Sequence, residues 1–427
     1  MPSSLSNSAR RAERNVRLDP LGIYGTRSAR RRNQLQRRRR VQNLFLWLLG
    51  LAAVALLVWW IFQPHTTSLR ASWTRELRFR PATAPVAASN GNLLFTSQSG
   101  GLWLASPLAE SWAPRRLFAT AFAPGAPPLF AANRVFWAGG DGIVAALDFP
   151  SGAVKWQRAL PSTLVARPAH LRAVGRAIVA VGDDEGHVAA FDAISGAPLW
   201  KKGLGGVTGE AIVALQGTPP SFLVPLGAGA TSRGGLVCLD GASGALRWRF
   251  PSDGRSPGGG LAAPAVAGDR VYWCNDEGAV VALEAQSGRK IWKTFAAPRS
   301  EPRRDKTANA SMVMLRGAPV VAPDAGVVVV GGNDGLLRAF DGKNGAARWS
   351  LELGGVARFA AQLVDFEGGK ALLAGGDAPT IFLLDPRDGR VLRRWTTPFN
   401  ADFGVMAMDG MAFALDSQGH LQGAPLR

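Results

Sequence analysis

The stretch Gly142-Ile-Val-Ala-Ala-Leu-Asp148-Phe-Pro-Ser-Gly152-Ala-Val-Lys-Trp156 decides the fold, because the chain repeats it. Glycine, acid, glycine and tryptophan return at Gly186-Asp192-Gly196-Trp200, Gly234-Asp240-Gly244-Trp248, Gly278-Glu284-Gly288-Trp292 and Gly335-Asp341-Gly345-Trp349. The offsets are six, four and four residues in all five copies. Ile143, Ala145 and Leu147 alternate as one face of a short strand does. The Asp-x-x-Ser/Asn-Gly that follows is turn chemistry, a carboxylate that can cap backbone N–H groups and a glycine free to take positive φ. A second strand then carries the Trp. Upstream of each first glycine runs another apolar segment, such as Arg270-Val-Tyr-Trp-Cys274 or Val327 to Val330. Several of these open with proline (Pro85, Pro128, Pro168, Pro264, Pro319), which a strand tolerates at its first residue. Each repeat therefore predicts four short antiparallel strands.

Four-stranded units at this period are propeller blades, since one blade cannot bury both its faces and a ring of them can. Three degenerate copies extend the series. One centres on Gly101, one runs from Thr380 to Asp385 with Gly389 and a late Trp395, and one spans Asp416 to Gly419. With Pro379 in place of a missing glycine the eight are spaced 41, 44, 48, 44, 57, 44 and 40 residues apart. The expected fold is all-β, an eight-bladed propeller with seven blades as the alternative. The last copy stops at Arg427 without its Trp-bearing strand, and Ser68 to Leu77 reads as that missing strand. Pairing the two ends would close the ring and remove an exposed edge.

The net charge of +18 is concentrated at one end. Residues 1–43 hold 12 Arg against Glu13 and Asp19, leaving 37 Lys+Arg against 29 Asp+Glu for the other 384 residues. The basic character is therefore largely a tail property, and no nucleic-acid partner is expected. From Leu44 to Phe62 there are nineteen residues without a charge, about 28 Å of helix and close to a bilayer's hydrocarbon thickness. Trp59 and Trp60 stand where an interfacial belt would fall, and Arg37 to Arg40 precede the segment. A cleaved signal peptide would have a shorter apolar region and a small-x-small site, where this chain has Gln63-Pro64-His65. The reading is a basic disordered tail (1–43), one transmembrane signal anchor (44–62), a linker (63–67) and a propeller (68–427). The N-terminus is then cytoplasmic, and the propeller lies outside the cell (inner) membrane, periplasmic or extracellular.

The pattern Gly-x-Leu/Val-x-Ala-Leu/Phe-Asp-x-x-Ser-Gly-x-x-x-Trp resembles the PQQ-type propeller repeat over roughly residues 68–427. Relatives with this repeat include quinoprotein dehydrogenases, which bind PQQ and Ca²⁺, and non-catalytic propellers such as the BamB-like lipoprotein of outer-membrane β-barrel assembly. The dehydrogenase implication calls for a quinone stacked on Trp, a cation held by carboxylate and amide oxygens, and an Asp base; many members add an adjacent Cys-Cys disulfide. Here Cys238 and Cys274 are 36 residues apart, either two small buried side chains or a disulfide of their own. The four His are scattered, and no haem-attachment motif is present. The expectation is a non-catalytic scaffold without PQQ or calcium, binding envelope proteins. A PQQ-dependent dehydrogenase and a ligand-sensing ectodomain with a separate signalling partner are the alternatives.

Two places suggest a docking surface. The connection from Trp292 to Pro319 carries Arg299, Arg303, Arg304 and Lys306, followed by Met312 and Met314, a basic loop with a Met-bearing end that suits an acidic segment. Residues near the start of the innermost strands should line one mouth of the central funnel, and Arg167, Glu210, Arg316, Arg358 and Phe403 are the candidates, mostly cationic.

Overall fold

The computed structural model describes residues 71–228, 234–251, 259–297 and 313–426, together with residues 47, 50, 52, 67 and 68. The chain divides into two units, residues 1–65 and 66–427. In the first, Trp47, Gly50 and Ala52 are helical; among the described residues no helix is long and apolar enough to cross a membrane. The expected span over 44–62 lies almost wholly outside the described residues, as does the basic tail.

The second unit is an eight-bladed propeller; the seven-blade alternative is excluded by eight separate sheets. Blade 2 shows the pattern: Leu129–Ala131, Arg134–Ala138, Ile143–Asp148 and Val154–Ala159, each antiparallel to the next. Burial follows the layer. Val135 to Ala138 and Val144 to Leu147 are covered throughout, because neighbouring blades press on both faces, whereas in Val154–Ala159 only Trp156 is buried. Eight clusters of buried side chains make the core, each shared by two adjacent blades, the last joining blade 8 (Phe413, Leu415, Leu421) to blade 1 (Leu93, Phe95).

The repeat's landmarks are the contacts between blades. Trp156, Trp200, Trp248, Trp292 and Trp349 each donate the indole N–H to a carbonyl of the following blade's turn, at 3.2, 3.1, 3.0, 3.2 and 2.9 Å. Each ring lies on that turn's glycine: a Cβ on Gly196 would meet Trp156 at 2.5 Å, and one on Gly244 would meet Trp200 at 2.6 Å. These glycines also hold left-handed φ, +69° at both positions, so space and backbone demand the same residue. The acid caps its turn as expected. Asp192 Oδ1 accepts from the N–H of Ile194 and Ser195 at 3.0 and 2.8 Å, and the Ser195 bond holds that carboxyl below its usual range. A bulge immediately before each Trp, invisible in the spacing, sets its direction toward the next blade.

The ends close the ring. Trp73–Glu76 pairs antiparallel with His420–Pro425, the C-terminal strand of blade 8, with Trp73 opposite Gly423. Gly423 stands four residues after Gly419, as Ala146 opposite Trp156 stands four after Gly142. Trp73 is thus the motif tryptophan of blade 8. A second contact was not foreseen. Thr67–Ser68 adds a fifth, parallel strand to the outer edge of blade 7, beside Arg393 and Arg394, satisfying backbone groups that an edge strand otherwise leaves open. In blade 7 the Trp position, opposite Leu383, is held by Arg393; Trp395 sits two residues on and is buried at the seam with blade 8.

Both cysteines are free and buried, Cys238 between blades 4 and 5 and Cys274 between blades 5 and 6, so the disulfide alternative fails.

Candidate functional site

The first strand of each blade faces the axis, and the segments leading into these strands surround a cavity of about 840 Å³ at one mouth. Seven blades contribute: Thr83 before blade 1, Ala126 before blade 2, Val165 before blade 3, Glu210 before blade 4, Met314 and Arg316 before blade 6, Arg358 and Phe359 before blade 7, and Asp402 and Phe403 before blade 8. Proline and glycine in these segments keep them out of the sheets, so their side chains are available to the mouth. Backbone bonds tie neighbouring segments together. The Arg167 N–H donates to Glu210 O at 2.8 Å, the Glu210 N–H donates to Leu261 O at 2.8 Å, and the Ile212 N–H returns to Arg167 O at 3.1 Å.

Four of the five residues expected at the mouth, Glu210, Arg316, Arg358 and Phe403, line this one cavity. Arg167 is not among the lining side chains; it is half-buried, and its Nε has no hydrogen-bond partner. Burial lowers its pKa. Arg299, Arg303, Arg304 and Lys306 lie outside the described residues, as does Met312. Phe359 and Val356, which the sequence did not indicate, join Phe403 at the mouth, and Met314, expected at the end of the basic connection, joins them. Phe359 stands so close to Gly404 that a Cβ there would meet it at 2.7 Å.

The charges are largely paired. Arg316 Nε is 3.2 Å from Asp276 Oδ1, and Arg358 Nη2 is 3.6 Å from Asp377 Oδ2. Glu210 opens on the cavity, yet protein surrounds its carboxyl closely enough that burial pushes it up to about 7; Arg316 opposes this and Asp276 adds to it. Burial likewise raises Asp276, against the pull of Arg316. This is a poor cradle for calcium. A hard cation needs several free anionic oxygens, and here Asp276 and Asp377 face guanidinium groups, Asp402 Oδ2 accepts the Ser417 N–H at 2.8 Å, and burial disfavours ionisation of Glu210. The residues do not fit a quinone–calcium centre at this mouth, and no reaction is derived through one.

Elsewhere among the described residues, Asp183, Glu185 and His187 are the group whose ligand atoms lie within 4.8 Å of one another. Asp183 Oδ1 accepts from the N–H of Glu185 and His187 at 3.1 and 2.7 Å, and Oδ2 lies 3.1 Å from His187 Nδ1. Asp416 and His420 repeat the arrangement in blade 8 at 2.7 and 2.6 Å with no acid at the middle position. It is a hairpin cap used in two blades.

Comparisons with known proteins agree with this geometry. The family model described as outer membrane protein assembly factor BamB matches residues 66–221 and 221–363. An outer membrane protein assembly factor BamB from Yersinia pestis is 26% identical over 321 residues, covering 71% of this chain and 74% of that one. One from Bordetella pertussis is 31% identical over 137 residues, 26% of this chain and 36% of that protein. Among solved structures, BamB from Moraxella catarrhalis superposes with a TM-score of 0.52 at 16% identity, over 70% of this chain and 96% of that one. A quinohemoprotein alcohol dehydrogenase from Comamonas testosteroni gives 0.61 at 13% identity, over 86% and 78%. At such identities the structural likenesses establish the fold alone.

Proposed function

The chain belongs to the family of outer membrane protein assembly factor BamB, and from that premise we propose that it is a non-catalytic scaffold that docks envelope proteins at the axial mouth of its propeller. The observation that carries the reading is the construction of that mouth. The segments leading into blades 6, 7 and 8 present Met314, Phe359 and Phe403 beside half-exposed Arg316 and Arg358. Apolar and aromatic side chains set beside arginine are the composition with which a protein surface binds another protein segment. The relatives' shared description, outer membrane protein assembly factor, supports partners among envelope proteins. No quinone and no calcium enter this reading, since burial disfavours ionisation of Glu210, Asp402 accepts the Ser417 N–H, and the neighbouring Asp276 and Asp377 face arginine. The uncharged Leu44 to Phe62 holds the protein in the inner membrane as a single span, with the basic tail cytoplasmic and the propeller on the far side. The basic loop at Arg303 and Arg304 is a second contact for the same partners.

The experiment is crosslinked recovery from native membranes, wild type against Arg316→Glu/Arg358→Glu and against Arg303→Glu/Arg304→Glu. The wild type should bring down outer-membrane assembly proteins and the mouth variant should lose them. If the mouth variant, still folded, recovers the same proteins in the same amounts, docking at the mouth is wrong.

A further inference from the structure

The outer strands of the eight blades form the wall of the propeller, and their charge is one-sided. They hold fourteen Lys and Arg against two acids, Glu76 and Glu352. The wall is not uniform. In blades 2 to 6 lysine supplies five of the nine cations (Lys155, Lys201, Lys202, Lys290 and Lys293), but on the arc of blades 7, 8 and 1 every cation is arginine: Arg393, Arg394, Arg75, Arg115 and Arg116.

These arginines are also held in place. Arg75 lies over Trp73 at 5.7 Å, Arg116 over Trp103 at 6.0 Å, Arg393 over Phe366 at 5.3 Å and Arg394 over Phe382 at 5.4 Å. Stacking fixes the plane of a guanidinium, so its N–H groups point outward in that plane, the arrangement that meets a phosphate with two parallel hydrogen bonds; Arg75 gives one of these to Ala109 O at 3.3 Å. Arg115, Arg116 and Arg394 are exposed. Arg115 donates to the carbonyls of Pro150 and Ser151, and Arg393 pairs with Glu367 at 2.8 Å. A cluster built of arginine, pre-oriented and mostly without a carboxylate, suits a phosphate-bearing surface better than a carboxylate peptide, to which lysine serves as well.

The path of the chain says which surface. Thr67 and Ser68 run along the outer edge of blade 7 beside Arg393 and Arg394, so the first described residues of the propeller unit lie on this arc of the wall. Phe62, the last residue of the apolar stretch, is five residues earlier, and five extended residues reach at most about 18 Å. We propose that the arc of blades 7, 8 and 1 rests on the anionic phospholipid surface of the membrane that holds the chain, so that the propeller stands on its edge with its axial mouth open to the side. The inference depends on the reading of residues 44–62 as a membrane span.

The test uses the full chain in vesicles of phosphatidylcholine, with or without phosphatidylglycerol, containing a headgroup-attached quencher. Thr396→Cys on blade 7 and Lys201→Cys on blade 3, both exposed, each take one fluorophore. Cys238 and Cys274 do not compete, because both are buried and burial raises their thiol pKa values. With phosphatidylglycerol, quenching at Thr396→Cys should exceed that at Lys201→Cys severalfold. It should fall toward the Lys201→Cys level in 0.5 M salt, as screening of surface charge requires, and in Arg115→Glu/Arg116→Glu/Arg394→Glu with an unchanged melting temperature. If the triple variant does not fold, Arg394→Glu alone carries the same readout. Equal quenching at the two positions, or quenching that ignores the charge reversal, overturns the proposal. Release of the chain by alkaline carbonate would instead overturn the membrane span and leave the mouth's role in docking untouched.

Discussion

Blades 2 to 6 and the closing arc of blades 7, 8 and 1 are built from the same repeat and held together differently. In the regular region each Trp sits on the next blade's glycine and donates to its turn, five times over. At blade 7 there is no such glycine to meet. The third and fourth strands of blade 8, His420–Pro425 and Trp73–Glu76, are paired across distant parts of the chain, so no hairpin turn between them receives a Trp from blade 7. The position then holds Arg393, and the seam is filled by Trp395, Ala401 and Ala424. At the other end Leu117 stands where a Trp would and meets Gly152. The Trp-on-glycine contact is thus confined to blades 2 to 6; at the closure, strand pairing between Trp73–Glu76 and His420–Pro425 joins the ring.

This contrast can be broken outright. Ending the chain after Gly419 removes the strand that Trp73–Glu76 pairs with and opens the ring. The expected result is loss of the folded propeller, read as protease sensitivity and loss of near-ultraviolet circular dichroism. A folded, protease-resistant product would mean that the clasp is dispensable. A finer comparison sets Trp248→Ala in the regular region against Arg393→Ala at the same repeat position in the closing arc. The first removes a buried indole and its bond to Ala285 O, and should cost about 3–5 kcal/mol in urea unfolding. The second removes a partly exposed ion pair and should cost less than about 1 kcal/mol. Equal losses would show that the two positions do the same work after all.

The smallest effect concerns the mouth. Burial pushes the Glu210 carboxyl up to about 7 from an ordinary 4.5, so folding favours its protonated form. Its contribution to stability is therefore fully present below about pH 4.5 and is lost as pH rises through 7. Glu210→Gln should melt with the wild type near pH 4.5 and above it at pH 8. A constant difference across that range would mean that the carboxyl is solvated.

The repeat was legible because four residues recurred at constant offsets, and each proved to mark a physical requirement: a turn, its cap, a left-handed glycine and the ring that covers it. Blade number and ring closure followed from counting. Trp395 was misleading as a late motif residue, since only the pairing register places Arg393 opposite Leu383. At the mouth, Glu210, Arg316, Arg358 and Phe403 could be guessed from their place before the innermost strands. Phe359 could not, and Met314 was read only as the end of the basic connection, because nothing local says which side chains of a connection turn toward the axis. The Asp183–His187 pair was hidden for a similar reason, since hairpin geometry brings the carboxylate and the imidazole together.

By itself, then, the sequence determined the architecture and the apolar stretch before it, because periodicity and hydrophobic run length are properties of the chain read in order. The tertiary structure alone decided which charges gather. Fourteen cations scattered over 320 residues, from Arg75 to Arg394, become one wall because every blade places its fourth strand at the same radius. Closure of the ring then brings Arg75, Arg116 and Arg394 onto neighbouring blades, and that proximity depends on the distance between blades rather than the distance along the chain.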